Sequence, residues 1–557
     1  MKKSNNILKY LLLILPLLAI SACTKLDEKV YSRYVAENYY NSKSEVLSAV
    51  LRPYTHANAW STPGQNGFWR VSELSADQLA WPVKGRDGQD GGNWIRDHYH
   101  QWTNDDDAVW GPWSLMWWGL GLCNQPIENL EKRSIAQMGI TQAEKDAYVS
   151  ELKLFRDFTL LKIMDLWGNV PIATQVGELN IPTKSRVEVF NFLEKDIKDN
   201  INSIPVLSPA MNGRMNKAGA YAMLVELYLN AEKWTGTARW DDCIAAANVI
   251  ISGQAGGQSG TTPALDPNIT TTFSPRNNTL SKEILLSITY DPPKGSSAPQ
   301  WPGDFYHFKQ RFINGSTRTG NNGVIVIPGV YDGFYKNNDL RKKEWFLIGS
   351  QYMYGTIDPI TGIGTPVTGD DSREYRGRPL VFVDNVRKNI SLQPGQDPNS
   401  LPSDMTQGEE NSGVRFNKYK IGVTTDVANY QAVDWSLYRL TWIYFAEAEA
   451  LMRKNGGVAT QAAVDLINTC KRRSFSAADW PAEAYTVGKL TMDELLMERG
   501  REFIFEGFRR QDLIRFNKFV TTKWWDHVPT NDKNKELLPI PNRQVTLNPA
   551  LVQNPGY

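Results

Sequence analysis

KAGAYAMLVELYLNAEKW, residues 217–234, sets small side chains (Ala218, Ala220, Ala222) among large apolar ones (Leu224, Leu227, Tyr228). Small residues let two helices approach closely, and large ones fill the seam between them. A second helical pattern follows at once, from Trp240 to Ile251 through Cys243, Ala245 and Ala247. The same text recurs at WSLYRLTWIYFAEAEALMRK, residues 435–454, whose partner runs from Thr460 to Arg473 through Ala463, Val464, Ile467 and Cys470. A hairpin of about 34 residues with this pattern reads as a tetratricopeptide-like unit, which buries its apolar face by stacking on neighbours. The pattern by itself also fits an ordinary antiparallel helix pair.

Outward from these hairpins the helical signals continue. Ser42-x-x-Glu45 reads as a capping box ahead of Leu47, Val50, Leu51 and Tyr54. Thr141-x-x-Glu144 opens a helix that runs to Trp167, with Gly168 as its stop. Ser185-x-x-Glu188 opens another, with Phe190, Leu193 and Ile197 on one face. Thr491-x-x-Glu494 begins a last one, carrying Leu495, Leu496, Phe503, Ile504 and Phe505 towards Gly507. Two stretches differ, at about 60–118 and 253–433: they are rich in Gly, Pro, Ser and Asn. The second holds only short β-like runs, Ile284–Tyr290, Val324–Ile327 and Leu380–Val383. The expected fold is mainly α: a tetratricopeptide-like helical-pair scaffold with large irregular insertions and a few short strands. Binding residues tend to sit on loops held over such a rigid frame.

The N-terminus reads as an export signal over residues 1–22. Met1-Lys2-Lys3 precedes an apolar run from Ile7 to Ile20, too short to span a bilayer of roughly 30 Å as a helix. Ser21-Ala22-Cys23 resembles a bacterial lipobox, in which the cysteine is acylated and heads the mature chain. Residues 23–557 are then expected to form one domain, tethered to a membrane through Cys23. Net charge is +1 with both signs interspersed, so there is no nucleic-acid footprint. The remaining cysteines, Cys123, Cys243 and Cys470, are far apart in apolar surroundings and read as buried thiols.

No arrangement for catalysis stands out. The chain lacks a phosphate loop, a nucleophile elbow and a His-Glu-x-x-His zinc motif. No cofactor or metal site is expected. Asp105-Asp106-Asp107 is the one acidic run that suggests calcium, but it lacks the spaced ligands and bidentate Glu of a calcium loop and reads as a solvated turn.

Several segments together resemble the SusD/RagB outer-membrane lipoproteins of Bacteroidetes. They include Asp90-Gly91-Gly92-Asn93-Trp94, Leu122-Cys123-Asn124, and Arg156-Asp157-Phe158 through Asp165-Leu166-Trp167-Gly168-Asn169-Val170-Pro171. Leu437-Tyr438-Arg439-Leu440 before Ala446-Glu447-Ala448-Glu449-Ala450 belongs with them, as do Glu498-Arg499-Gly500-Arg501-Glu502-Phe503 and Phe508-Arg509-Arg510-Gln511-Asp512-Leu513. The ending Leu538-Pro539-Ile540-Pro541 to Asn554-Pro555-Gly556-Tyr557 completes the set. The resemblance implies a non-catalytic, surface-exposed, lipid-anchored outer-membrane receptor. Such a receptor captures oligosaccharides and passes them to a SusC-like TonB-dependent transporter. Peptide binding within the same family and a glycan-active hydrolase are the alternative readings. Glu498, Arg499, Arg501 and Glu502 lie at helical spacings that suit intrahelical ion pairs, and with Arg509-Arg510 they read as scaffold.

Sugar chemistry then selects candidates. A sugar ring has an apolar face that an indole can cover and hydroxyls that Asp, Asn and Arg can bond. Nine of the 19 tryptophans fall between Trp60 and Trp118. Trp81, Arg86, Asp90, Asn93 and Trp94 lie in a Gly-rich loop there and are the first candidates, with Asp77 beside them. Trp301 and Tyr306 are the candidates from the second insertion. Trp110, Trp113, Trp117 and Trp118 recur at helical spacing and are expected in the core.

Overall fold

The computed structural model describes residues 39–557, apart from 261, 292–297, 371–374, 390–392 and 398–399. The signal segment 1–22 and the lipid-attachment candidate Cys23 lie outside the described residues. Ten helices build the frame: α1 (Lys43–Ser61), α2 (Asp107–Lys132), α3 (Gln142–Trp167), α4 (Arg186–Asn200), α5 (Lys217–Leu229), α6 (Trp240–Ile251), α7 (Leu440–Lys454), α8 (Gln461–Lys471), α9 (Met492–Phe503) and α10 (Arg509–Arg515). They pack as neighbours in series, α1 on α2, α2 on α3, α3 on α4, α5 on α6, α6 on α7 and α7 on α8. The two hairpins with matching text therefore lie side by side, although about 190 residues of chain separate them.

The capping boxes at α3 and α4 form as read: Thr141 and Ser185 accept from the backbone of Glu144 and Glu188, whose carboxylates reach back. Such a cap stabilises a helix start by about 1 kcal/mol. At α1 only half the box forms. Ser42 accepts from Glu45, but the Glu45 carboxylate bonds the Asn41 backbone instead. The three cysteines are free and buried, and burial pushes their thiols well above the usual range.

One boundary is corrected. Trp435–Arg439 is a strand, not the first turn of α7, and pairs antiparallel with Ile284–Ile288. Two aromatic positions in five residues, Trp435 and Tyr438, overrode the helical pattern, because the β-like run at 284 supplied a partner. The other two β-like runs also pair. Ile325–Val326 joins Leu79–Ala80, and Val381–Phe382 joins Gly349–Ser350. The second insertion is thus tied to both the first insertion and the helical frame. Among the described residues no helix is long and apolar enough to cross a membrane.

The charged text at 498–502 is scaffold, but most of its pairs cross between elements. Arg501 bonds Glu498 within α9 at 2.6 Å. Glu498 and Glu502 otherwise face Arg341, and Glu502 also faces Arg439 and Arg473. Arg439 in turn holds Glu283 and Glu506, and Glu506 takes Lys418. Burial raises the Glu283 carboxyl, yet Arg473 and Arg439 pull it well below the usual range. The same holds at Glu498, where Arg341 and Arg501 outweigh burial.

The C-terminus is stitched into the frame beside the end of α3. Leu538 donates its N–H to Leu166, Trp167 Nε1 donates to Pro539, and Asn554 Nδ2 donates to the Trp167 and Leu538 carbonyls. The Tyr557 hydroxyl accepts from Trp102 and donates to Leu537.

Candidate functional site

The Gly-rich loop after Leu79–Ala80 folds back on itself. Lys84 and Asp87 exchange both backbone hydrogen bonds across Gly85-Arg86, which puts Arg86 at an exposed tip. The second insertion fixes the loop from behind: Val83 bonds Met405, while Gly408 bonds Val83 and Gly85. Lys84 is buried and donates Nζ to the Gly323 carbonyl at 2.6 Å, and burial lowers its ammonium well below the usual range. Gly88 adopts φ +81°, and a Cβ there would meet the Pro82 carbonyl at 2.4 Å, so only glycine fits the turn.

Beneath the loop Trp81 and Trp94 stack on each other, with centroids 5.2 Å apart and planes 16° from parallel. Arg70, on the short helix Phe68–Leu74, places its guanidinium 5.1 Å from each ring centroid. Asp304 holds that guanidinium bidentately, at 2.9 and 2.7 Å. Burial pushes the Asp304 carboxyl up to about 7, although Arg70 opposes the shift. Trp94 donates Nε1 to Asp90 at 2.7 Å, and Asn93 donates to the Asp90 carbonyl and accepts from Arg96.

The result is an open recess of about 430 Å³. Arg86, Asp87, Gln89, Asp90 and Asn321 ring it, and the indole edges with Arg70 form its floor. Four predicted residues (Trp81, Arg86, Asp90 and Trp94) line it, and Asn93 braces Asp90 beside it. The tryptophans are not free platforms, however. They are 6% and 5% exposed, because each ring faces the other and the guanidinium. The recess offers hydroxyl partners at its rim and apolar edges at its base.

The remaining candidates lie elsewhere. Asp77 is consumed by Arg509, with bonds of 2.6 and 2.8 Å that tie the loop to α10. Trp301 is fully buried against Tyr290, Tyr419 and Trp435, and Tyr306 is 1% exposed. Their segment still reaches the recess, through Asp304 on Arg70 and through the Gly303 carbonyl on Asn321. The acidic turn at 105–107 is engaged within the protein: Asp106 pairs with Arg96 at 2.7 Å and Asp105 accepts from Asn542.

One expected core residue is a surface residue. Trp113 is buried, edge-on to Trp167, but Trp118 is 57% exposed and leans on His56 with centroids 4.5 Å apart. Helical geometry carries the signal that separates them. At 3.6 residues per turn, Trp118 lies about 140° around the helix from Trp113.

Below the recess, Asp97 is 1% exposed and neither carboxyl oxygen has a hydrogen-bond partner among the described residues. Burial, reinforced by Asp106, pushes its carboxyl up to about 8. The folded chain thus keeps a proton that the unfolded chain loses near pH 4, so stability falls as pH rises from about 4 through about 8. Asp97→Asn is expected to raise Tm only slightly near pH 5 and by several degrees at pH 9. Thermal melts at the two pH values check this, and an equal effect at both would remove Asp97 as the titrating group.

The comparisons with known proteins agree with this architecture. Residues 328–557 match the model of the SusD family. The starch-binding protein SusD of Bacteroides thetaiotaomicron is 25% identical over 447 residues, spanning 75% of this chain and 74% of its own length. The SusD-like protein P38 of Formosa agariphila is 23% identical over 423 residues, spanning 74% of each chain. Among solved structures, NanU of B. fragilis superposes with a TM-score of 0.69 at 16% identity, covering 95% of this chain and 99% of its own. Surface glycan-binding protein A of Bacteroides thetaiotaomicron, in complex with laminarihexaose, gives 0.66 at 19% identity, covering 92% and 99%. Residues 328–557 thus carry the sequence pattern of the SusD family, and the chain shares the fold of these solved structures over nearly all its length.

Proposed function

We propose that this protein is a non-catalytic glycan-binding lipoprotein of the outer membrane. It captures oligosaccharides in the recess beneath the 81–94 loop and hands them to a SusC-like TonB-dependent transporter. The observation that carries the reading is the recess itself. Exposed Arg86, Gln89 and Asn321, with half-buried Asp87, surround indole edges whose positions are fixed by stacking, a guanidinium and a buried carboxylate. Pre-set partners of this kind need little ordering on binding. The relatives named for starch and glycan binding support the ligand class. Acyl chains on Cys23 would hold the protein at the membrane, and the capture role asks for no bond to be made or broken.

Arg86→Ala combined with Asn321→Ala removes hydroxyl partners without touching the stacked rings. Loss of two hydrogen bonds, one of them charge-assisted, is expected to weaken oligosaccharide binding by roughly 10–100-fold. Isothermal titration on the mature protein measures it, with circular dichroism to show an unchanged fold. Unchanged affinity would place the ligand elsewhere. Release of reducing ends from a polysaccharide panel would overturn the non-catalytic reading.

A further inference from the structure

A second open recess is larger than the one beneath the 81–94 loop. It has a volume of about 760 Å³ and lies between α1 and α2, lined among others by Ser48, Arg52, Leu122, Gln125 and Asn129. Trp118 stands one turn before Leu122 on the same helix. Trp118, Gly121, Leu122 and Gln125 follow the i, i+3, i+4, i+7 spacing of one helix face, and Asn129 extends it by another turn. From Trp118 to Asn129 this face is about 16 Å long.

The two glycines of this stretch have different causes. A Cβ on Gly119 would stand 3.2 Å from His56 and 3.3 Å from Trp60, so close packing of α1 on α2 accounts for that residue. A Cβ on Gly121 would meet nothing within 4 Å. Glycine inside a helix lowers its stability relative to alanine, and here no neighbour demands it. What Gly121 does is keep the surface flat beside an indole that is 57% exposed and supported from behind by His56. A flat approach to a propped aromatic face, bordered by an amide, a guanidinium and hydroxyls, is the chemistry that accepts a sugar ring.

We propose that this face of α1 and α2 is a second glycan-binding site. It takes a neutral oligosaccharide chain with one ring against Trp118 and over Gly121, and hydroxyls towards Arg52, Ser48 and Gln125. The class of ligand rests on the glycan reading above. The site does not share a lining residue with the recess beneath the 81–94 loop.

The test is affinity electrophoresis of the mature protein in gels containing laminarin, starch, xylan or galactomannan. Wild type is compared with Trp118→Ala, Gly121→Leu and the Arg86→Ala/Asn321→Ala pair. Trp118→Ala and Gly121→Leu are each expected to weaken retention on a bound polysaccharide by about tenfold. Melting of Gly121→Leu should be no lower than wild type, because leucine fills open space on a helix. Retention unchanged in both variants but lost in the Arg86/Asn321 pair would overturn the second site and leave the glycan reading standing. Retention lost in both but kept in the pair would support the second site and remove the loop recess. Failure of wild type to bind any of the four would overturn both.

Discussion

Arg439→Met should lower the unfolding free energy by about 3–5 kcal/mol, the cost of removing one partner from a buried ion pair. Arg439 is 1% exposed and its guanidinium meets three carboxylates: Glu283 at 2.7 Å, Glu506 at 2.7 Å and Glu502 at 3.0 Å. Methionine keeps most of the volume, so the loss reports charge rather than a cavity. Arg341, Lys418 and Arg473, with Arg501 at the rim, are then left facing Glu283, Asp339, Glu498, Glu502 and Glu506. The uncompensated negative charge sits where water cannot reach it. Arg439→Lys is expected to recover only part of the loss, because an ammonium cannot reproduce a fork that meets three acids. Urea denaturation followed by circular dichroism measures both variants. A loss under about 1 kcal/mol for Arg439→Met would mean that the network rearranges and that the strand–helix junction at Arg439–Leu440 is held by packing alone.

The second large effect is expected at Trp301. Trp301→Ala should cost about 3–5 kcal/mol, the range for deleting a large aromatic from a packed core. Three rings close around it, Tyr290 at 5.2 Å, Trp435 at 5.2 Å and Tyr419 at 5.8 Å between centroids. Trp435 belongs to the strand that precedes α7, so the cavity would open where the second insertion meets the helical frame. Affinity of the folded protein for an oligosaccharide should change by less than about threefold, under 1 kcal/mol. A variant that melts normally but no longer binds would return Trp301 to the site. Trp94→Ala should behave as a mixture, since that ring both supports Trp81 and forms the recess floor.

How far the sequence could be read depends on the range of the interaction. The caps at Thr141 and Ser185, the hairpins at 217–251 and 440–471 and the stop at Gly168 are local, and the residues that make them lie within a few positions of one another. The Gly-rich loop was legible for the same reason: its glycines mark a turn, and Trp81, Arg86, Asp90 and Trp94 do converge on one recess. The ion pairs were not. Glu498, Arg499, Arg501 and Glu502 have spacings that fit intrahelical pairs, and nothing local reveals that Arg341, Arg439 and Arg473 arrive from other segments. Asp77 was misplaced for this reason, since its partner Arg509 is 432 residues away. Exposure of aromatics was the hardest to read. A tryptophan in a loop, such as Trp301, can be sealed by residues from two other segments, and one in a helix, such as Trp118, can turn outwards by its angle alone. Asp304 and Arg70, which fix the recess floor, carry no motif. Their signal is the pairing itself.

The stitching of the C-terminus beside α3 has a consequence for how the protein is made. A ribosome delivers α3 long before Leu538, Asn554 and Tyr557 exist, so the carbonyl groups at the end of that helix must wait for partners about 370–390 residues downstream. Loop closure over such separations is slow. The nascent polypeptide therefore carries an unsealed seam until residues 538–557 are made, and removing residues 554–557 should leave that seam open to proteases.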